Sequence, residues 1–151
     1  MQGLWNVCKN CLKCCLHGSP LVLPRERKLI IKKTKKDCFV AQENGKYFTI
    51  GSPKKKKACP YLLEDGKCLL HNLGCKPVDC RTWPIGLTPE GEFIVDIDCP
   101  AVGLLSDDDY LEAKKILEKA LNTPELRRSY YKLCREGGFR TKVIKLCNVQ
   151  C

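Results

Sequence analysis

Histidine and methionine are almost absent from this chain: two His and one Met, the Met at position 1, stand among 151 residues. Any bound metal must therefore find most of its donors elsewhere. Large aromatics are also sparse, with two Trp, four Phe and five Tyr, so Leu, Ile and Val have to supply most of one ordinary core. No stretch within residues 1–20 is apolar for long enough to be a signal peptide, and no later run approaches a membrane span. The expectation is a cytoplasmic protein with no membrane partner, in a compartment that keeps thiols reduced. The sequence also lacks a glycine-rich dinucleotide loop, a Ser-His-Asp set, an internal repeat and a long linker. It is too short to carry a complete methyltransferase domain beside anything else.

Cysteine is what the chain has in excess, at thirteen residues. Four of them fall within eight residues, as Cys8-x-x-Cys11-x-x-Cys14-Cys15, a density that no packing or turn requirement produces. A Cys-x-x-Cys step turns tightly enough for two thiolates to approach one centre. If the segment were one helix, Cys8, Cys11 and Cys15 would fall within about 60° of one another and Cys14 further round. Neighbouring cysteines rarely point at one atom, so Cys14 and Cys15 suit different metals or a multinuclear centre. Further on come Cys59-Pro60, Cys68, Cys80 and Cys99-Pro100. Together these make eight candidate metal ligands: Cys8, Cys11, Cys14, Cys15, Cys59, Cys68, Cys80 and Cys99. Eight thiolates exceed the four of one tetrahedral zinc and suffice for two such sites or for a cluster. A disulfide framework is the competing reading, and an odd cysteine count leaves at least one thiol outside it.

The spaced motifs Cys8-x-x-Cys11-x-x-Cys14-Cys15, Cys59-Pro60-Tyr61-Leu62, Gly66-Lys67-Cys68, Lys76-Pro77-x-x-Cys80-Arg81-x-Trp83-Pro84 and Cys99-Pro100 resemble the YkgJ-type cysteine-cluster family, a zinc- or iron-chelating domain. The resemblance covers about residues 8 to 103. It implies a Cys-ligated centre, and a related domain in flagellin lysine N-methylases, which look like iron-sulfur proteins using S-adenosylmethionine, tips the expected cofactor towards a 4Fe-4S cluster over zinc. This chain departs from the family pattern in having Lys76 where Arg is usual, Trp83 where Phe is usual, and an additional Cys75. Arg81 and Trp83 are the candidate cofactor-binding residues: a guanidinium able to donate to a sulfur or to a carboxylate, and an indole able to exclude water. Their ordinary alternatives are a surface ion pair and a core aromatic. Cys38, Cys134, Cys147 and Cys151 lie outside the motifs, and a buried free cysteine behaves as a small apolar residue. His71 is a substitute ligand, and His17 neighbours the first cluster.

The expected fold is α+β, a small irregular metal-stapled domain with a β-hairpin and two C-terminal helices. It is a single domain over 1–151, with a cysteine-cluster region at 8–103 and a helical part at 106–136. Pro24 opens a helix to about Lys33 with Leu29 and Ile30 inward. Asn44-Gly45 turns a hairpin between Phe39-Val40-Ala41 and Tyr47-Phe48-Thr49-Ile50. Residues 59 to 84 read as turns around ligands, and Glu92 to Asp98 as a strand ending at Cys99 with Phe93, Val95 and Ile97 on one face. Ser106 caps one helix, Thr123-Pro124 starts another, and Gly137-Gly138 ends it.

The functional expectation is a metal- or iron-sulfur-binding protein, a redox or modifying-enzyme component, with catalysis itself left open. The alternative is a structural zinc module whose basic face binds nucleic acid or an acidic protein. The formal charge of +10 permits that partner without requiring it, because bound thiolates offset part of it. The run Lys54 to Lys57 has no aromatic interleaving and reads first as a solvated face.

Overall fold

The computed structural model describes residues 8, 11–55, 57–137 and 139–146. It is a mixed helix and strand structure that divides into two compact units: Lys9–Arg81, and Met1–Cys8 with Thr82–Cys151. The cysteine-cluster region expected over 8–103 thus extends over parts of both units.

In the unit Lys9–Arg81, helix α1 (Lys13–His17) is followed by strand β1 (Leu21–Val22), helix α2 (Pro24–Thr34), and strands β2 (Phe39–Gln42) and β3 (Tyr47–Ile50). The strands form an antiparallel sheet in the order β1-β3-β2. The hairpin expected from Asn-Gly is present, with Phe39 opposite Ile50 and Gln42 opposite Tyr47. Its turn places Glu43, Asn44 and Gly45 in succession at positive φ (46°, 58° and 83°), a bend that Asn and Gly tolerate best. Helix α2 starts at Pro24 as expected, but only Ile30 of the expected inward pair is buried; Leu29 is 43% exposed. One helical step of about 100° carries it from the core side to solvent.

Val22, Ile30, Ile50, Tyr61, Leu70 and Cys75 make the core of this unit, with Cys38, Cys59 and Cys68 packed against it. The stretch expected to be turns contains two short helices, α3 (Leu69–Asn72) and α4 (Val78–Thr82). The remainder of the stretch up to Pro77 is turns and an isolated bridge between Leu62 and Cys68.

The other unit is built on strands β4 (Ile85–Leu87), β5 (Phe93–Asp96) and β6 (Thr141–Ile144), antiparallel with β5 central. Helices α5 (Asp107–Ala120) and α6 (Pro124–Glu136) both pack on β4. Strand β5 is buried at all four positions, so the expected alternation of one wet and one dry face does not hold. It ends at Asp96 rather than Cys99, leaving Ile97 46% exposed in the following turn. Strands β4 and β6 pair with the two edges of β5, and the sequence reading identified neither.

Gly86 permits close packing, since a Cβ there would lie 2.9 Å from both the Ile94 side chain and the Tyr130 hydroxyl. The two helices match expectation. Ser106 Oγ accepts from the Asp109 N–H at 3.2 Å, and an Asp109 carboxylate oxygen accepts from the Ser106 N–H at 2.9 Å. Thr123 caps α6 through the Leu126 N–H. Tyr110, Ala113, Leu117, Ala120, Tyr130 and Cys134 are buried along the inner faces.

Candidate metal centre

The thiols are distributed unevenly between the two units. Cys11, Cys14, Cys15, Cys59, Cys68 and Cys80 of the expected ligand set belong to Lys9–Arg81, while Cys8 and Cys99 belong to the other unit. Cys11, Cys38, Cys59, Cys68, Cys75 and Cys80 are free thiols.

The first cluster is not one helix. Leu12 takes φ 58°, ψ −4°, a left-handed conformation that breaks the helical path, and α1 begins only at Lys13. The angular grouping expected of Cys8, Cys11 and Cys15 on a continuous helix therefore does not apply. Cys14 and Cys15 sit on α1, both half-buried. The Cys59 N–H donates to the Cys15 carbonyl at 2.6 Å, a backbone tie between two motifs far apart in sequence.

Cys59, Cys68 and Cys80 are close enough to feel one another's charge. Burial raises the Cys59 thiol above its ordinary value, with Cys68 and then Cys38 adding to the rise. Cys80 is pushed well up, first by burial and then by Asp79, with smaller contributions from Cys59 and Cys68 against an opposing one from Lys76. Cys75, outside the expected set, is raised by burial and by Cys68, with Lys33 opposing. These shifts share one leading cause, burial of the thiol away from water, to which neighbouring thiols add a smaller like-charge repulsion; a nearby cation would favour the thiolate forms. The donors thus suit a thiophilic ion in kind. No three His, Cys, Asp or Glu side chains among the described residues converge as a metal-holding group.

Two thiols outside the expected ligand set, Cys38 and Cys75, lie within electrostatic range of Cys59 and Cys68 respectively. The buried Tyr61 connects Cys38 to the group: its hydroxyl donates to the Lys36 carbonyl at 3.2 Å, and its own ionisation is suppressed by burial and by Cys38. The sequence signal for Cys75 was its standing as an extra thiol beside the Cys80 motif. Cys38 carried no signal except its position before the hairpin.

Beside the thiols lies a carboxylate pair. Asp79, at the start of α4, accepts from the Leu21 N–H at 2.8 Å, and burial pushes its carboxyl up to about 7, with Glu26 adding to the rise. Glu26 accepts from the Leu23 N–H at 2.9 Å and the Val78 N–H at 2.8 Å. It thereby fastens the first turns of α2 and α4 together. Leu23 offers no side-chain acceptor in return, so only one half of a capping box exists here.

Arg81 is exposed in the last turn of α4 and makes no ion pair among the described residues. Trp83 packs within its own unit: its ring lies 5.2 Å from that of Phe139, and its indole N–H donates to Asp96 at 3.3 Å. The Trp83-Pro84 peptide is cis. Cys99 is half-buried, its N–H donating to the Asp96 carbonyl at 3.2 Å, and Cys134 is buried on the inner face of α6. His71 is exposed, and burial of its ring and then Lys76 lower its proton affinity. The His17 side chain, Cys147 and Cys151 lie outside the described residues. No described helix is long and apolar enough to cross a membrane.

Comparison with family models, with curated proteins and with solved structures finds no match to this chain.

Proposed function

We propose that this protein binds metal through cysteine thiolates, an iron-sulfur cluster of the 4Fe-4S kind in preference to zinc, and serves as a redox or modifying-enzyme component. The observation that carries the reading is the grouping of Cys59, Cys68 and Cys80, from three separate motifs, within electrostatic range of one another, with Cys59 and Cys68 packed on one small core. Reduced, desolvated thiols in that number are expensive to keep beside one another as anions without a cation. Cys59, Cys68 and Cys80, with Cys11, Cys14 and Cys15, would hold the centre; Cys8 and Cys99 are proposed as ligands from their sequence motifs alone and belong to the other unit. Such a cluster supplies one-electron transfer.

Around it, the protein's own residues have defined work. Tyr61 and Leu70 exclude water from one side of the thiol group, and Glu26 fixes the backbone that presents Cys80. The iron preference itself rests on thiolate number and on the family resemblance.

Iron, zinc and acid-labile sulfide are to be measured in protein purified without oxygen, beside its visible spectrum. Iron with sulfide and a broad absorption, lost in Cys59→Ser, Cys68→Ser and Cys80→Ser and retained in Cys134→Ser, is the expected result. Stoichiometric zinc without iron, from cells supplied with iron, removes the iron-sulfur assignment. Metal content indifferent to all four substitutions removes the ligand set.

A further inference from the structure

The net charge is confined to one unit. Lys9–Arg81 holds 17 Lys and Arg against six Asp and Glu, whereas the rest of the chain holds ten against eleven. Within the basic unit the acids are largely engaged. Glu26 accepts from two backbone N–H groups, and Asp37 pairs with Arg27 at 2.6 Å.

The lysines are different. On α2 and its C-cap, Lys28, Lys32 and Lys35 recur at four- and three-residue spacing, all exposed, so they form a stripe along one side of the helix. A second set, Lys54, Lys55 and Lys57, is exposed on the loop after β3. None of these six makes an ion pair among the described residues.

Both ends of that loop are tied to the segment that follows α2. The Gly51 N–H donates to the Cys38 carbonyl at 3.2 Å, and the Tyr61 hydroxyl donates to the Lys36 carbonyl at 3.2 Å. In sequence the loop lysines lie between these two anchors, which fasten the ends of their loop to residues 36–38, directly after the helical stripe. Six uncompensated cations are thus brought into one region by hydrogen bonds, not by sequence proximity alone.

We propose that this region, formed by Lys28, Lys32, Lys35, Lys54, Lys55 and Lys57, is a docking surface for the phosphodiester backbone of double-stranded nucleic acid. Lysine is a point charge suited to phosphate oxygens and contributes no base readout of the kind a bidentate arginine gives, so binding is independent of sequence. A single strand would require aromatic platforms for its bases, and none of Phe39, Tyr47, Phe48 or Tyr61 is exposed. A protein partner or a lipid surface would require an apolar anchor. The large exposed apolar side chains of this unit are single residues on three different elements: Leu16, Leu29 and Val40.

The surface involves no proposed metal ligand and stands whether or not the metal reading does. Its test uses the full-length protein as purified, a 20-base-pair duplex as DNA and as RNA, the matching single strands, a polyglutamate peptide and vesicles containing phosphatidylserine. Full engagement of six lysines predicts that duplex affinity falls roughly a thousandfold between 50 and 200 mM salt. Substituting Lys28, Lys32 and Lys35 by Gln, or Lys54, Lys55 and Lys57 by Gln, lowers the slope of log affinity against log salt by about 3 in each case. Substituting Lys115, Lys119 and Lys132, exposed in the other unit, leaves that slope unchanged. Three triple variants that lose affinity equally reduce the effect to net charge and overturn the proposal. So does absence of duplex binding at 50 mM salt, or tighter binding of single strands, polyglutamate or vesicles than of duplex.

Discussion

The two units are held together by different means. In Thr82–Cys151, α5 and α6 place continuous apolar stripes on a three-stranded sheet whose central strand is buried at every position. In Lys9–Arg81 the sheet is small, the core includes Cys75 as a member with Cys38, Cys59 and Cys68 packed on it, and much of the chain between β3 and α4 is turn. One unit is stabilised chiefly by burial, whereas the other reserves part of its interior for thiols, which contribute little by burial and repel one another when ionised. This contrast separates the unit held by burial from the thiol-rich unit.

The largest way to break the comparison is metal removal. If the thiol-rich unit depends on a bound ion, a strong chelator should abolish amide protection in α2, β3 and α3 while α5 and α6 keep theirs, because linkage makes binding free energy part of folding free energy. Hydrogen exchange with and without chelator reads this directly. Equal protection of both units under both conditions would show that the thiols add nothing to the fold.

Next in size is a cavity in the burial-dominated unit. Leu117 is completely buried on α5, and Leu117→Ala should cost about 2–5 kcal/mol by denaturant titration, with the same loss whether or not chelator is present. A loss that changes with chelation would mean the unit's stability is not its own.

A polar counterpart exists in the basic unit. Glu26→Ala removes the acceptor for the Leu23 and Val78 N–H groups and should cost about 2–4 kcal/mol, since hydrogen bonds to a charged group are each worth more than neutral ones. Asp79 adds a pH signature. Its folded value of about 7 stands above its ordinary 3.8, so as pH rises the unfolded chain releases this proton first. The folded protein, as purified, should therefore lose stability between about pH 4 and 7 through this group, with no further loss above that window. Glu26→Gln takes away a like charge and should move the upper end of the window downward. A stability profile of Lys9–Arg81 that stays flat across pH 4 to 7 would contradict the burial assigned to Asp79.

What could be read from the sequence follows the same division. The hairpin, α2, α5 and α6 were legible because Asn44-Gly45, Pro24, Ser106 and Thr123-Pro124 act locally, through a turn, a fixed φ or a cap. Strands β1, β4 and β6 were not, since two to four residues carry no period and exist only through partners distant in sequence. The strand at residue 93 was legible, though its burial on both faces was not, because that depends on side chains from distant helices, such as Tyr110 against Phe93. At the candidate site, the motif spacing singled out Cys59, Cys68 and Cys80. The break at Leu12 and the inclusion of Cys38 and Cys75 depend on backbone conformation and tertiary contacts that spacing does not encode.

The smallest test compares helix starts. Ser106 and Asp109 exchange hydrogen bonds across the first turn of α5, with Asp107 and Asp108 adding favourable charge there. The equivalent turn of α2 has Leu23 at its cap and relies on Glu26 alone. Ser106→Ala should cost about 1 kcal/mol, a fall in Tm of roughly 2–4 °C for a chain of this size, because the Asp109 N–H loses its acceptor while the aspartates remain. Double substitution with Asp109→Ala should cost less than the sum of the two single changes, since each cap residue hydrogen-bonds the other and one loss already forfeits part of the second. Strict additivity in a thermal melt would mean that the reciprocal bonds contribute nothing beyond the charge of the aspartates, and the local origin assigned to this helix start would have to be replaced by packing of Tyr110 alone.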